Sequence, residues 1–431
     1  MSARRGGTTP NSESVRERLS SGQKVEIEKN RMRTQLRLVR VNKKSSLEVT
    51  FREDMSTLAA HAPQCAAILD GIVEREEHGM IVLSPARERC FRRILHVNAY
   101  GGRYIWNRVK QGLLPGHQLL GCIELARMGY EIALAEPLPD FYWHRNPFPH
   151  DLKLLKMVRS WLQPDGIVFC GHNVLYWLPF LKRYGLVRCH VVSLLYAREP
   201  LNQSRAHTGI VGLTSAGAEQ AKKLAPQVKV ANLGWGVDLS FFPKLEYNPE
   251  WFFSCGIANR DFKTLANAAA KSSQPIRVIS PGPLNGIEWP PNVHLVDGGR
   301  GWLIDKTKAI TPRDVVRDYF PHSAGALVIM NNDPTEYTAN GFTNLMEAMA
   351  VGQPVIMTKT GALPGEIDIE KEGCGMFVSP ENAEALAEAI DFLGNNPDQA
   401  EAMGRRGRAL VERRYNIERY ARDLHKFFES L

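Results

Sequence analysis

From Arg93 onward, short runs of Val, Ile, Leu and Ala alternate with stretches whose apolar positions return every three or four residues. The runs Ile94–Val97, Tyr130–Ala135, Gly166–Cys170, His190–Leu195 and Gly209–Leu213 are nearly continuous in apolar side chains, the mark of strands buried on both faces. Helical periodicity falls between them, around 119–128, 150–162, 174–184 and 216–224. The pattern then restarts, with strands predicted at Trp251–Cys255, Ile276–Ser280, Asn292–Val296, Ala326–Met330, Pro354–Met357 and Gly375–Val378. Its helices fall near 261–272, 312–320, 343–351, 381–394 and 397–413. Such alternation predicts an α/β protein of two Rossmann-like, doubly wound domains, each a parallel sheet covered on both faces. The join lies near Phe241–Pro249, where Pro243 and Pro249 suit a linker. Two such units, at 91–243 and 244–412, face each other across a central cleft at the C-terminal ends of their strands, where ligands bind in these sheets.

The two ends of the chain read differently. Residues 413–431 form an amphipathic segment with Tyr415, Ile417, Tyr420, Leu424, Phe427 and Phe428 as its apolar positions, expected to pack across the domains. Residues 1–90 form an N-terminal extension: Met1 to Asn30 is expected to be disordered, with short strands at Leu36–Val41 and Leu47–Phe51 and a helix over Met55–Arg75.

Composition adds bounds. At 431 residues and 44% hydrophobic, the chain can bury a sizeable core. No apolar run approaches the roughly 18 residues of a membrane span. Met1 to Ser21 has no apolar centre of the secretory kind. The expected location is the cytoplasm, with peripheral contact at the inner membrane face left open. The net charge of +8 is uneven: residues 1–50 hold 12 Lys/Arg and 5 Asp/Glu, so the body is almost neutral. A basic tail attracts anionic lipid or nucleic acid, or is simply solvated. Nucleic acid is not expected as a partner, because only this tail points to it. The seven cysteines are scattered, with no Cys-x-x-Cys pair, so no metal site is predicted and a reducing compartment fits.

The segment richest in chemistry is TEYTANGFTNLMEAMAVGQPVIMTKT, residues 335–360. An apolar strand runs into a polar, glycine-containing turn (Asn340, Gly341), and a helix opens near Thr343. First-turn amides at Thr343 and Asn344 suit a diphosphate. Glu347, one turn in, can accept hydrogen bonds from vicinal hydroxyls such as those of a ribose, or can cap its own helix. Upstream, SCGIANRDFKTLANAA (254–269) is a strand, a loop and a helix start. That loop holds Asn259, Arg260 and Lys263.

LMEAMAVGQPVIMTKTGALPGEI (345–367) closely resembles the donor site of the large retaining glycosyltransferase family, the glycosyl transferases group 1, that includes sucrose synthases and glycogen synthase-like enzymes; Glu347, Gly352, Pro354, Val355, Gly361 and Glu366 match its pattern. GCGMFVSPENAEALAEAI (373–390), the C-terminal helices (404–424) and the Gly-Val-Asp-x-x-x-Phe run within 213–243 are similar to further family segments. HVNAYGGRY (96–104) supplies Gly101 and Gly102 where the family has a Gly-Gly loop, followed here by an unusually long loop.

The resemblance covers roughly 93–425 and implies the GT-B fold. It also implies transfer of a hexosyl group, with retention, from a nucleoside-diphosphate sugar to a carbohydrate or lipid-linked acceptor. It implies no cofactor beyond the co-substrate. Arg260, Lys263 and His117 are its candidate catalytic residues. It implies that Arg260, with Lys263 second, meets phosphate oxygens through its planar fork, the alternative being a solvated loop arginine. Gly101, Gly102, Asn259, Asn340, Gly341, Thr343, Asn344 and Glu347 are its candidate donor-binding set. His117 either faces the acceptor or packs at its helix start. One position departs: eight residues before Glu347, where the family has a second glutamate, this chain has Ala339, with Glu336 three residues early. That loss keeps open a non-catalytic nucleotide-sugar-binding protein, and a sugar-nucleotide epimerase of the same shape is a further alternative.

Overall fold

The computed structural model describes residues 14–18, 24–30, 33–38, 70–86, 91–98, 100–135, 148–162, 164–171, 178–196, 204–256, 258–280, 284, 286–298, 310–332, 340–360 and 366–431. The expected strand Leu47–Phe51, most of the expected helix Met55–Arg75, and Glu336, Ala339 and Gly361 lie outside them. The chain divides into two units, residues 1–58 and 59–431.

Within the first unit, β1 (Ser14–Arg18), β2 (Lys24–Asn30) and β3 (Arg33–Leu38) form an antiparallel sheet in that order. β1 and β2 therefore stand where the sequence was expected to be disordered, while β3 overlaps the expected strand Leu36–Val41 over residues 36–38. The signal was there: in KVEIEKN, Val25 and Ile27 alternate with charged residues at the period of two that a strand requires.

The second unit holds two sheets. In the first lobe, the strands are β4 (Ile72–Glu77), β5 (Met80–Pro85), β6 (Arg93–Val97), β7 (Glu131–Ala135), β8 (Ile167–Gly171), β9 (His190–Leu195), β10 (Gly209–Gly212) and β11 (Lys229–Asn232). Their order is β11-β10-β9-β8-β6-β7-β5-β4. The central strands are parallel, and β8 is buried at every position, as a sheet covered on both faces demands. The sheet also reaches back into the segment assigned to the N-terminal extension. β4 and β5 form an antiparallel hairpin on its edge, closed by His78 and Gly79, both at positive φ, the geometry that two-residue hairpins favour. IVEREE reads as polar because an edge strand leaves one face in water, and residues 72–75 of the expected helix are strand instead. A second correction concerns the long loop after Gly101: Gly102–Lys110 is a helix (α1) that buries Ile105, Trp106 and Val109.

In the second lobe, β12 (Trp251–Ser254), β13 (Ile276–Ser280), β14 (Val293–Asp297), β15 (Ser323–Val328), β16 (Val355–Thr358) and β17 (Gly375–Val378) run parallel in the order β14-β13-β12-β15-β16-β17. Renumbered from its own start, this is 3-2-1-4-5-6, the doubly wound order whose ligand crevice opens between strands 1 and 4. Here those strands are β12 and β15, so the loops after Ser254 and Val328 frame the crevice. The expected helix at 312–320 is instead a short, irregular stretch of mixed helical turns.

The C-terminal helices hold the lobes together. Pro397–Arg414 packs on the helix Phe342–Val351, and Ile417–Glu429 lies against Cys122–Met128 of the first lobe. Arg419 donates to Leu233 O and to Trp235 O (2.7 Å), and the Tyr130 hydroxyl pairs with His425 Nδ1 at 2.8 Å. Among the described residues no helix is long and apolar enough to cross a membrane.

The packing of Pro397–Arg414 depends on a glycine. A methyl group at Gly404 would sit 1.9 Å from the Gly352 carbonyl oxygen. Gly404→Ala must therefore push this helix off the one beneath it, at a cost of about 2–3 kcal/mol. Urea unfolding should show a lower midpoint with an unchanged slope.

Candidate functional site

The helix Phe342–Val351, FTNLMEAMAV, is apolar on nearly every side: Phe342, Leu345, Met346 and Ala348 to Val351 are all buried. Its only polar residues are Thr343, Asn344 and Glu347, and all three stay partly accessible. Positions 343, 344 and 347 share one stripe of a helix, so the polar strip has a single direction to face. Gly341 caps the helix at φ 82°, and a side chain there would strike Val328 Cγ1 at 2.8 Å. Only glycine fits, and it brings the helix start directly onto the end of β15. Gly341, the N-cap residue, supplies no side-chain cap to the first-turn amides. They carry the partial positive charge of a helix start, and they open at the crevice that the strand order defines.

The loop after β12 brings Arg260 to the same place. Asn259 turns the chain at φ 54°, its carbonyl accepts from Asn331 N (3.1 Å), and Arg260 pairs with Met330 in an isolated antiparallel bridge. Asp261 then caps the next helix, Phe262–Ala269, accepting from Thr264 N at 2.9 Å. The Arg260 side chain folds back over Gly256, where a Cβ would sit 2.2 Å from its Nη2. Nε donates to Cys255 O (3.2 Å), Nη1 to Ala258 O (2.8 Å) and Nη2 to the Asn344 side-chain oxygen. Asn344 Nδ2 reaches Cys255 Sγ at 3.4 Å. Arg260 is thus joined to the helix stripe, but most of its fork is spent on the protein. Burial lowers its pKa. Lys263, on the first turn of the following helix, is exposed.

Glu347 looks across to the first lobe. Its Oε1 lies 3.5 Å from His117 Nε2, with the two side chains 13% and 1% exposed. His117 sits in the turn Gly116–Leu119, and its Nδ1 accepts from Asp238 N at 3.1 Å. Its ring stacks on Phe242 (5.9 Å between centroids) and stands edge-on to Trp235, which in turn meets Phe342 edge-on. Asp238 Oδ2 accepts from Gly116 N at 2.8 Å, fixing the turn that carries the histidine. Cys255, near Glu347, has its thiol pushed up to about 12, by burial first and the Glu347 charge second.

The structure therefore gathers Arg260, Asn344, Glu347 and His117, with Asn259, Asn340, Gly341 and Thr343 on the flanking turns. Gly101, at φ 93°, caps α1 and donates to Asn98 O (3.1 Å), and Asn98 Nδ2 donates to Gln118 O (2.9 Å), so this loop lies beside the turn that carries His117. A side chain on Gly102 would meet Leu134 Cβ at 2.9 Å, so that glycine serves close packing inside the first lobe. Asp238 and Phe242 are the Asp and Phe of the Gly-Val-Asp-x-x-x-Phe run at the join, though no role was read for them; Trp235, just before the run, was not singled out.

Residues 336–410 match the family model described as glycosyl transferases group 1. No curated protein matches it in sequence. Among solved structures, it superposes on sucrose-phosphate synthase from Thermosynechococcus elongatus with a TM-score of 0.54 and 15% identity, over 79% of this chain and 98% of that one. A UDP-forming α,α-trehalose-phosphate synthase from Burkholderia vietnamiensis gives 0.55 and 10%, over 80% and 100%. Anabaena HepE, solved in complex with UDP-glucose, gives 0.50 and 12%, over 79% and 100%. These likenesses establish the GT-B fold of two Rossmann-like lobes.

The family pattern also contains Glu366, and here it has a bridging task. Its carboxylate accepts from Ser215 N, at the start of the first-lobe helix Ser215–Leu224, while its carbonyl accepts from Tyr415 Oη at 3.1 Å.

Two expectations follow. Arg260→Ala strands the acceptors of the loop and of Asn344, so urea unfolding should show about 1–3 kcal/mol lost, in addition to any effect on turnover. Glu124, in the helix Cys122–Met128, is pushed up to about 7, by burial first and by the Asp238 charge second. Its folded pKa stands above its unfolded one, so its contribution is full below about pH 4.5 and is lost as pH rises through about 7. Stability should therefore fall between about pH 5 and 7 in the parent, and the slope should flatten in Glu124→Gln.

Proposed function

We propose that this protein moves a hexosyl group from a nucleoside-diphosphate sugar to an acceptor hydroxyl, with retention, in polysaccharide or glycoconjugate synthesis. The observation that carries this is the convergence at the crevice between β12 and β15. The glycine-capped helix start at Gly341 and the Arg260–Asn344 pair lie together there, and a half-buried Glu347 lies on the same face. A diphosphate suits the amides and the guanidinium, and a ribose suits the carboxylate. The names of the structural neighbours point the same way: one is a UDP-forming synthase, and another was solved with UDP-glucose.

In this reading, charge that grows on the leaving diphosphate is met by first-turn amides at Thr343 and Asn344 and by Arg260, with Lys263 reaching in from the next turn. The sequence offers no Asp-x-Asp in the strand context a metal would use, so no essential metal is proposed. To grip phosphate, Arg260 must exchange part of its present hydrogen bonding, Asn344 first. The carbohydrate or lipid-linked acceptor enters against the first lobe, and contact with an inner membrane face would bring a lipid-linked acceptor within reach. Closure of the lobes excludes water and limits hydrolysis of the donor.

A second reading rests on Ala339: a protein that binds nucleotide sugar without turning it over. One screen separates the two. Purified protein is mixed with a panel of nucleoside-diphosphate sugars and acceptors, and release of nucleoside diphosphate is followed. Acceptor-dependent release supports transfer, tight binding without turnover of any sugar supports the second reading, and no binding at all overturns both. Glu347→Ala should weaken donor affinity about 10- to 100-fold, as lost hydrogen bonds to a charged group do; calorimetry gives the number.

A further inference from the structure

His117 is an unusual side chain to bury. It is 1% exposed, it belongs to the first lobe, and its Nε2 has no hydrogen-bond partner among the described residues. An unpaired buried donor or acceptor costs about 1–3 kcal/mol, so its persistence needs an explanation. Packing alone does not give one, because a phenylalanine would stack on Phe242 as well.

The ring's hydrogen bonds define its state. Asp238 N is a backbone amide and can only donate, so Nδ1, which receives it at 3.1 Å, carries no proton. The proton of the neutral ring is then on Nε2, and Nε2 points at Glu347 Oε1, 3.5 Å away. That separation is longer than a formed hydrogen bond, but an approach of roughly 0.5 Å would close it. Stacking on Phe242 and the edge contact with Trp235 fix the ring plane, and the Asp238 carboxylate fixes the turn beneath it through Gly116 N. Every freedom of the imidazole is taken except the bond it aims across the lobes.

We infer that His117 is a positioning residue for Glu347: its Nε2–H holds one carboxylate oxygen from the opposite lobe and leaves the other oxygen for the ribose hydroxyls. The inference rests on the proposed role of Glu347 as the ribose acceptor. It makes nucleotide binding sensitive to a residue that touches no part of the nucleotide. It also ties the orientation of Glu347 to lobe closure, because the imidazole of His117 and the carboxylate sit on different lobes.

The test uses the full chain and two sets of probes, UDP, ADP and GDP against their 2′,3′-dideoxy counterparts, with affinities measured by calorimetry for the parent, Glu347→Ala and three variants of His117. In His117→Ala the ribonucleotide that the parent prefers should bind about 5- to 10-fold more weakly. Its dideoxy counterpart should bind as it does to the parent, which also shows that the variant is folded. His117→Gln places an amide N–H where Nε2 stood and should recover most of the affinity. His117→Asn can keep the Asp238 bond but cannot reach Glu347, and should not. Equal losses on both nucleotides in His117→Ala, or full ribonucleotide affinity in His117→Asn, would overturn the inference while leaving Glu347 as a ribose ligand. If Glu347→Ala itself fails to distinguish the two nucleotides, or no nucleotide binds the parent, the ribose reading falls and the inference falls with it.

Discussion

A helix that is apolar all round must be buried, and a buried helix cannot carry polar side chains except toward something that satisfies them. The helix Phe342–Val351 obeys the first half of that constraint and is defined by the second. Neighbouring elements close on it from several directions: β15 and β16 beneath it, Pro397–Arg414 against it through Gly404 and Gly407, and the interlobe join through Leu245 N, which donates to Val351 O. What is left is one strip holding Thr343, Asn344 and Glu347. The strand order puts the start of that strip at the crevice. Site and fold are the same fact here, because the packing that buries the helix also leaves its polar strip only one direction.

The strip is met from two sides. Arg260 arrives from the same lobe, anchored by its own loop carbonyls, and His117 arrives from the other lobe, anchored by Asp238. Both side chains are more constrained than surface residues of a binding loop would be. In the proposed function that constraint preorganises the site: His117 is held facing Glu347, and Arg260 keeps its bonds to the loop carbonyls when it exchanges Asn344 for phosphate. Arg408 adds a further tie, since its guanidinium donates to Phe242 O at 2.8 Å and to the carbonyl of Ala350. One arginine thus holds both the backbone of Phe242, whose ring supports His117, and the end of the helix that carries Glu347.

Most of the two-lobed architecture was legible in the sequence, because parallel strands buried on both faces write themselves as uninterrupted apolar runs. The runs at Ile94–Val97, Ile276–Ser280 and Gly375–Val378 are cases where strand and run coincide within a residue. The hairpin Ile72–Pro85 was missed because one of its strands is half solvated, and β1 and β2 because alternation with Glu and Lys looks like a polar tail. The helix Gly102–Lys110 was hidden by the glycine pair at its start, which reads as a loop. For the site, the donor-side residues were accessible through local pattern, since strand, turn and helix are contiguous in the chain. His117 with Asp238 was not. Their bond joins positions 121 residues apart, and no local periodicity encodes a contact made only when the chain returns to the join. The sequence marked Arg260 as a cation facing ligand. The structure shows how much of that cation is already engaged, which only the positions of Cys255, Ala258 and Asn344 reveal.

The claim on which the rest depends is that one nucleoside diphosphate occupies the crevice between β12 and β15. A crystal structure of the protein grown with the tightest-binding nucleoside diphosphate tests it directly. The diphosphate should lie against the amides of residues 342–344 with Arg260 turned toward it, and the ribose hydroxyls should meet Glu347. A nucleotide bound elsewhere, or one in the crevice with Glu347 still turned away from the sugar, would contradict it.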